Sequence, residues 1–390
     1  MYANVKVSIF AQRRAKKFYE VILLKKRITS FLMVLILLFS LCGCDAVSEI
    51  DTTSQTNVQA ENINAETQDT KKIREDLEVE IAPGINSIQE LMRVHFIDVG
   101  QADSAFIELG NGQTMLIDAG RDSSGTAIIS YINELQYDTI DYVVASHPHD
   151  DHIGGMASVL NSFNIGKMYM PKQAHTISAF TDMLDVIENK NIELYTAKAG
   201  TSILSSGIID IDILAPFSDS DSNLNNVSAV VRITYGKTVM LFMGDAEKVI
   251  ENQLLNSGID ADILKVGHHG AGSASSSSFI KAVSPDIAVI SVGEGNSYRH
   301  PHADTLAILN EVGAKIYRTD EQGTIVVTAD QNKRITVDKK ASTVKENAPP
   351  VVVQTPTEKV EETQPSVSDN QSQVVYRTRT GKNYAKLIFM

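Results

Sequence analysis

The sequence predicts an α/β fold, with which two sheets flanked by helices would fit, and three observations carry that expectation. Short apolar, β-branched runs of strand length recur between residues 92 and 338 and alternate with patterns of helical period. These elements occupy about 250 residues, enough to bury one large core or two sheets. The densest run of ionisable side chains, His147-Pro148-His149-Asp150-Asp151-His152, directly follows one of the strand-like runs, so chemistry is expected at a strand's carboxyl end.

Taken in order, the strand-like runs are 92–98, 104–109, 114–118, 141–145, 208–214, 228–235, 238–243, 261–266, 286–291 and 323–329. Helical patterns lie near 124–135, 177–188, 246–256, 276–283 and 303–312. Asp141 to Ser146 is short and β-branched, like a buried strand, and Gly154-Gly155 separate the histidine loop from a helix start at Met156. Thr238 to Met243 ends in Gly244-Asp245, and Asp262 to Val266 runs into Gly267-His268-His269-Gly270. His95, on the apolar run Met92 to Ile97, reads as a satisfied structural histidine, and His175 as a loop residue.

Seven of the nine histidines fall into three clusters, at 147–152, 268–269 and 300–302. Short His-rich tracts bind metal, and nothing in core packing rewards such a cluster otherwise. His147 and His149 leave a strand end on the same side, with Asp151 and His152 one step further along, so one loop can serve two neighbouring ions. A nitrogen and oxygen donor set without cysteine fits zinc, and equally manganese or iron. The expected cofactor is therefore two divalent metal ions, zinc or manganese. Such a pair, about 3.5–4 Å apart, lowers the pKa of a water to near neutrality and clamps a phosphoryl or carbonyl oxygen.

The string HPHDDHIGG resembles the HxHxDH signature of the metallo-β-lactamase fold. That resemblance implies an αββα sandwich of the metallo-β-lactamase type, with the site at one edge between the sheets. It further implies that His147 and His149 hold one ion, that Asp151 and His152 hold a second, and that Asp245 bridges the two. One of His268 and His269 is the remaining metal ligand; the other protonates a leaving group or binds phosphate, and the sequence does not decide between them. Asp118, in Thr114-Met-Leu-Ile-Asp-Ala-Gly120, supports the ligands without coordinating. Asp151, His268 and His269 are the implied catalytic residues.

The narrower pattern of Phe96 to Ser104, Lys265 to Gly270, Asn296 to Pro301 and Tyr317 to Gly323 resembles the hydrolase-like domain of the ComEC competence proteins and its stand-alone relatives. It implies supporting or substrate roles for Asp98, Asp103, Lys265 and His300. Asn226 and Ser228 stand where many metallo-β-lactamase-fold enzymes carry another histidine, which leaves an open position on the first ion. Ala102 and Arg299 depart from the glycines usual in that branch. The implied activity is phosphodiester hydrolysis, on nucleic acid or on a cell-surface ester such as phosphorylcholine on teichoic acid. A non-catalytic metal-binding surface protein, or one associated with DNA uptake, is the alternative.

Upstream, Lys25-Lys26-Arg27 precede the apolar stretch Ile28 to Leu41, which is short for a span of about 20 residues and fits a signal-peptide core. Leu41-Cys42-Gly43-Cys44 resembles a bacterial lipoprotein signal, which implies cleavage before Cys44, lipid on that cysteine and residence at the extracytoplasmic face of the cell membrane. A retained signal anchor is the rival. Residues 1–44 are thus read as the signal, 45–91 as a polar flexible tether, 92–338 as the catalytic domain and 339–390 as a disordered or truncated tail. Removing the eight Lys/Arg and one Glu ahead of Cys44 would take the formal charge from −13 to −20. So acidic a chain is poorly suited to gripping duplex DNA over a broad face, though small phosphoesters at the metals remain compatible.

Overall fold

The computed structural model describes residues 91–342; the signal segment with Cys44, the tether up to residue 90 and the tail beyond 342 lie outside the described residues. One sheet has the order Ile335–Val337 (β15), Ile325–Ala329 (β14), Met92–Phe96 (β1), Ala105–Glu108 (β2), Thr114–Ile117 (β3), Thr139–Val144 (β4), Asn164–Met170 (β5), Glu193–Thr196 (β6). The other runs Lys315–Arg318 (β13), Ile287–Ile290 (β12), Ile263–Lys265 (β11), Thr238–Phe242 (β10), Val230–Tyr235 (β9), Ile209–Ala215 (β8), Thr201–Ser205 (β7).

Strict alternation assigns the faces. On β3, Met115 and Ile117 point between the sheets while Leu116 faces outward; on β10, Met240 and Phe242 point inward and Leu241 outward. The inner faces meet in one apolar layer, where the Phe96 and Phe242 rings stack across the sheets with centroids 6.0 Å apart. Helices Gly125–Glu134 (α1), Met156–Ser162 (α3) and Ser178–Lys190 (α4) bury their apolar stripes on the outside of the first sheet through Ile128, Leu160 and Met183. Lys248–Leu254 (α5), Ser277–Val283 (α6) and Ala303–Glu311 (α7) cover the second through Leu254, Ile280 and Leu309. The result is the expected αββα sandwich.

Each sheet changes character along its width. From β15 to β3 neighbours are antiparallel and from β3 to β6 parallel; from β7 to β10 they are antiparallel and from β10 to β13 parallel. The loops that follow β3, β4, β10, β11 and β12 therefore leave from the carboxyl ends of parallel strands, where α/β sheets present their ligand sites. Backbone hydrogen bonds stitch those loops together: Asp103 N to Asp151 O at 3.1 Å, Ala119 N to His152 O at 2.8 Å, Ala229 N to Ser146 O at 2.8 Å and His268 N to Gly244 O at 3.0 Å.

Five strands were not anticipated: β5, β6, β7, β13 and β15. Asn164, Gly166 and Lys167 break the apolar pattern of β5, while β6, β7 and β15 are short and half-exposed. Their strand character comes from pairing with neighbours rather than from local preference. The chain also stays tied to the domain as far as Ser342, past the boundary drawn at 338, because Ser342 N donates to Ile316 O at 2.8 Å.

Candidate metal centre

The histidine loop leaves β4 at Val144, and Asp150–Ile153 (α2) forms a single helical turn that fixes Asp151 and His152 on its inner side. Gly155 closes this turn against the loop after β3, where any Cβ would collide with Ala119 O. Gly244, at φ +52°, allows the loop after β10 to pass so close to Ser146 that a Cβ there would lie 3.0 Å from the serine Cβ. These two close approaches bring Asp245 to the histidines.

His147 Nε2 and His149 Nδ1 face each other at 2.8 Å, and Asp245 Oδ2 lies 3.9 Å from His147 Nε2. His152 Nε2 lies 3.3 Å from Asp245 Oδ1 and 4.0 Å from Asp151 Oδ1. His269 Nε2 lies 3.7 Å from Asp151 Oδ2 and 3.8 Å from Asp245 Oδ2. Donor atoms of His147, His152 and Asp245, and separately of Asp151, His152 and His269, fall within 4.8 Å of one another. The metal-ligand candidates read from the sequence are thus brought together, with Asp245 between the two groups.

The far side of each imidazole is anchored. His152 Nδ1 meets Asp118 Oδ2 at 2.8 Å, and that carboxylate is held by Ser146, whose backbone N–H and hydroxyl both donate to it at 2.7 Å. His269 Nδ1 donates to Ser291 O at 2.9 Å. Each anchor places the proton on Nδ1 and aims the Nε2 lone pair inward. Yet His152 Nε2, His269 Nε2 and Asp245 Oδ1 are buried without a hydrogen-bond partner. Three convergent orphaned atoms in a protein interior are costly unless a further group satisfies them. A divalent cation would do so, and the donor set suits one.

Electrostatics agree. Burial alone would push His152 and His269 below the ordinary imidazole value. Asp245 and Asp118 outweigh it and raise His152 well above that value, while Asp245 and Asp103 push His269 up to about 10. The same attraction, set against burial, holds Asp151 and Asp245 low, Asp245 well below the ordinary carboxylate value. The cluster therefore favours positive charge at its centre, and a metal ion competes with protons for the same lone pairs. His147 behaves oppositely: burial and the neighbouring His152 hold it well below 6.5, leaving a neutral ligand-ready ring.

His268 and His269 part company sharply. Both backbones are left-handed, at φ 49° and 53°, and the turn throws one ring inward and the other outward. The His269 side chain is 2% exposed and the His268 side chain 24%. His268 Nε2 lies 3.7 Å from Asp245 Oδ2, while its Nδ1 faces Ser273 Oγ at 3.1 Å and Glu247 Oε1 at 3.3 Å. Both rings line an open cavity of about 350 Å³ at the mouth of the cluster.

Among the supporting residues, Asp103 pairs with Lys265 Nζ at 2.8 Å, and despite burial the lysine and His269 bring its carboxyl down to about 2. Lys265 is buried beneath the site and does not reach the cavity, so of the two expected roles, supporting or substrate contact, its geometry is the supporting one, bracing Asp103. Ser228 Oγ accepts the Asp245 N–H at 3.1 Å. His300 lines the cavity, and burial together with His302 lowers it to about 4. Asp98 is exposed and caps a turn by accepting Gly100 N–H, so it has no place in the site. Asn226 is buried off the cavity; its neighbour Asn225 lines it instead and donates to Glu247 at 3.1 Å. Ser146, Asn225 and Glu247 went unread; position next to HPHDDH and two residues after Asp245 was the available signal for Ser146 and Glu247. His175 sits on a loop with its ring 6.4 Å from that of His149.

An αββα sandwich with a His/Asp metal-binding cluster at the carboxyl ends of its parallel strands defines a class of metal-dependent proteins. A family model described as the metallo-beta-lactamase superfamily matches residues 97–294. The chain belongs to that superfamily, whose members are in general metal-dependent hydrolases. It is 28% identical over 251 residues to ComE operon protein 3 of Bacillus subtilis, covering 60% of this chain and 32% of that protein. It is 26% identical over 245 residues to Recombination protein 2 of Haemophilus influenzae, covering 62% and 29%. The chain thus spans about a third of the length of these curated relatives. Among solved structures, the metallo-beta-lactamase fold protein YhfI of Bacillus subtilis is similar with a TM-score of 0.44 at 13% identity, over 62% of this chain and 100% of that one.

Proposed function

We propose that this chain is a metal-dependent phosphodiesterase held at the extracytoplasmic face of the membrane by lipid on Cys44. The observation that carries the catalytic part is the convergence of three orphaned buried atoms, on His152, His269 and Asp245, beside an open cavity that His269 and Asp245 line. His147, His149 and Asp245 would hold one divalent ion, zinc or manganese, and Asp151, His152, His269 and Asp245 the other. Bound there, such a pair supplies Lewis acidity and a water of near-neutral pKa. Asp118 and the Ser291 carbonyl keep the ligating rings in one tautomer and orientation. His268, at the cavity wall, is placed to give a proton from Nε2 to a departing alkoxide, with Glu247 and Ser273 steadying its Nδ1.

A phosphodiester is favoured by the competence and recombination proteins among the relatives, and the acidic net charge of the chain, −13, points to a small or single-stranded substrate rather than broadly gripped duplex. The full chain, reconstituted with manganese or zinc, is expected to hydrolyse bis-p-nitrophenyl phosphate or single-stranded DNA and to leave nitrocefin intact. p-Nitrophenyl phosphorylcholine in the same screen separates the cell-surface ester. Silence on all four substrates would sink the enzyme reading and leave a metal-binding surface protein. For the anchor, Cys44→Ser should abolish lipid labelling and processing while Cys42→Ser does not; unchanged processing of Cys44→Ser would point to a retained helix.

A further inference from the structure

Arg121 follows Gly120 at the end of the loop after β3 and caps the short 3-10 turn Asp122–Ser124. Its guanidinium is fixed at three points: Nε donates to Gln101 O at 3.2 Å, Nη1 to Asp150 Oδ2 at 3.4 Å and Nη2 to Asp151 Oδ2 at 3.4 Å. The side chain is nevertheless 40% exposed and lines the cavity that holds Asp151, Asp245 and His268. Among the described residues lining that cavity it is the only Lys or Arg, facing three carboxylates.

We propose that Arg121 is the residue through which this site binds an anionic substrate, by hydrogen bonds to phosphoryl oxygens beside the metal cluster. The proposal rests on the phosphodiesterase reading and names the group that selects for it. Charge-assisted N–H···O bonds normally close to about 2.7–2.9 Å, so contacts of 3.4 Å to Asp150 and Asp151 leave both carboxylates loosely held. One of them, Asp151, would turn its oxygens to a bound metal. A guanidinium carries five N–H donors, and three are engaged here, which leaves two for a ligand. Because Nε is held on the Gln101 carbonyl at 3.2 Å, part of the side-chain freedom is already lost before an oxygen arrives. A wall with three carboxylates would otherwise repel an anion; Arg121 offsets that locally, where the acidic chain as a whole does not.

The test uses the full-length protein loaded with manganese, comparing wild type with R121Q and R121K. Three quantities are measured: bound manganese, the affinity for inorganic phosphate by calorimetry, and KM and kcat on bis-p-nitrophenyl phosphate. R121Q should keep its manganese, bind phosphate roughly 10- to 100-fold more weakly, the usual weight of one charge-assisted hydrogen bond, and raise KM more than it lowers kcat. R121K should fall between, since an ammonium keeps the charge and loses the fork. Metal-replete R121Q with wild-type phosphate affinity and KM overturns the proposal. If R121Q loses manganese, R121K decides: replete with intermediate phosphate affinity supports the assignment, whereas wild-type affinity or lost metal makes Arg121 merely a strut for Asp151. Arg121-dependent phosphate binding without diester turnover in wild type would retire the phosphodiesterase reading and leave the anion site standing. Turnover with phosphate affinity indifferent to R121Q does the reverse.

Discussion

His95 and His152 are both buried, at 3% and 0% exposure, and both lean on a carboxylate at 2.8–2.9 Å, yet they do opposite things. Around His95 every valence is closed: Nδ1 meets Tyr131 OH at 2.9 Å, Nε2 meets Glu108 at 2.9 Å, and Tyr137 donates to the same carboxylate at 2.7 Å. Around His152 only Nδ1 is closed. Its Nε2 points at Asp245 from 3.3 Å, out of hydrogen-bond alignment, with no other partner. Neither burial nor a carboxylate neighbour separates a structural histidine from a functional one. The unsatisfied nitrogen does, because an interior tolerates an orphaned lone pair only where something else completes it.

The largest expected effect breaks the open cluster at its centre. Asp245→Ala should strip bound metal from both halves and abolish hydrolysis, measured by metal analysis after dialysis and by turnover on a diester. Full metal retention would mean that the orphaned atoms are not metal-directed, and the comparison with His95 would lose its meaning.

Next comes the histidine pair. His269→Ala should lower metal occupancy and rate together, whereas His268→Ala should keep the metals and cut turnover by roughly 10²–10⁴-fold, the contribution of a positioned general acid. That loss should shrink on p-nitrophenyl leaving groups, which need no proton. Equal metal content and near-normal rates in both variants on an alkyl diester would make the pair structural.

The closed cluster should respond in stability alone. His95→Ala strands Glu108 and Tyr131 and should cost about 1–3 kcal/mol of unfolding free energy, read from urea titration, with metal content and KM unchanged. A change in metal binding would show that the two clusters are coupled after all. The smallest effect is a pH dependence. Burial would raise the Glu108 carboxyl, but hydrogen bonds from His95 and Tyr137 outweigh it and hold it below its ordinary 4.5. A depressed carboxylate stabilises the fold above the unfolded value, and that contribution disappears as pH falls through the folded one. Stability should therefore decline below about pH 4.5 less steeply in Glu108→Gln than in wild type, and identical acid profiles would contradict this.

What the sequence revealed of all this follows a physical divide. HPHDDH was legible because its ligands are crowded into one loop, where residue type alone narrows the chemistry. Strands β3, β4, β10, β11 and β12, whose carboxyl ends carry the loops of the site, were legible as short apolar, β-branched runs. The His268–His269 choice was not, because two identical neighbours differ only through a left-handed turn set by tertiary contacts. Arg121 and Asn225 were missed for a related reason: each joins the cavity from a loop whose course depends on other loops. Asp98 stands in the Phe96 to Ser104 pattern, but β1 ends at Phe96 and the Asp98 side chain is exposed. Strands β5 to β7 escaped because their order is imposed by pairing at sheet margins.

The direction of β1 has a mechanical outcome. The strand starts at Met92, opposite Ala329, and runs toward the loops that carry Gln101 and Asp103, so its first residue lies at the base of the sandwich and its last beneath the metal cluster. Force applied at Met92 would load the floor of the first sheet, where β1 is zipped between β14 and β2, at the strand end away from the loops that carry the candidate ligands. Tension entering there would pass along hydrogen-bonded strands before reaching those loops.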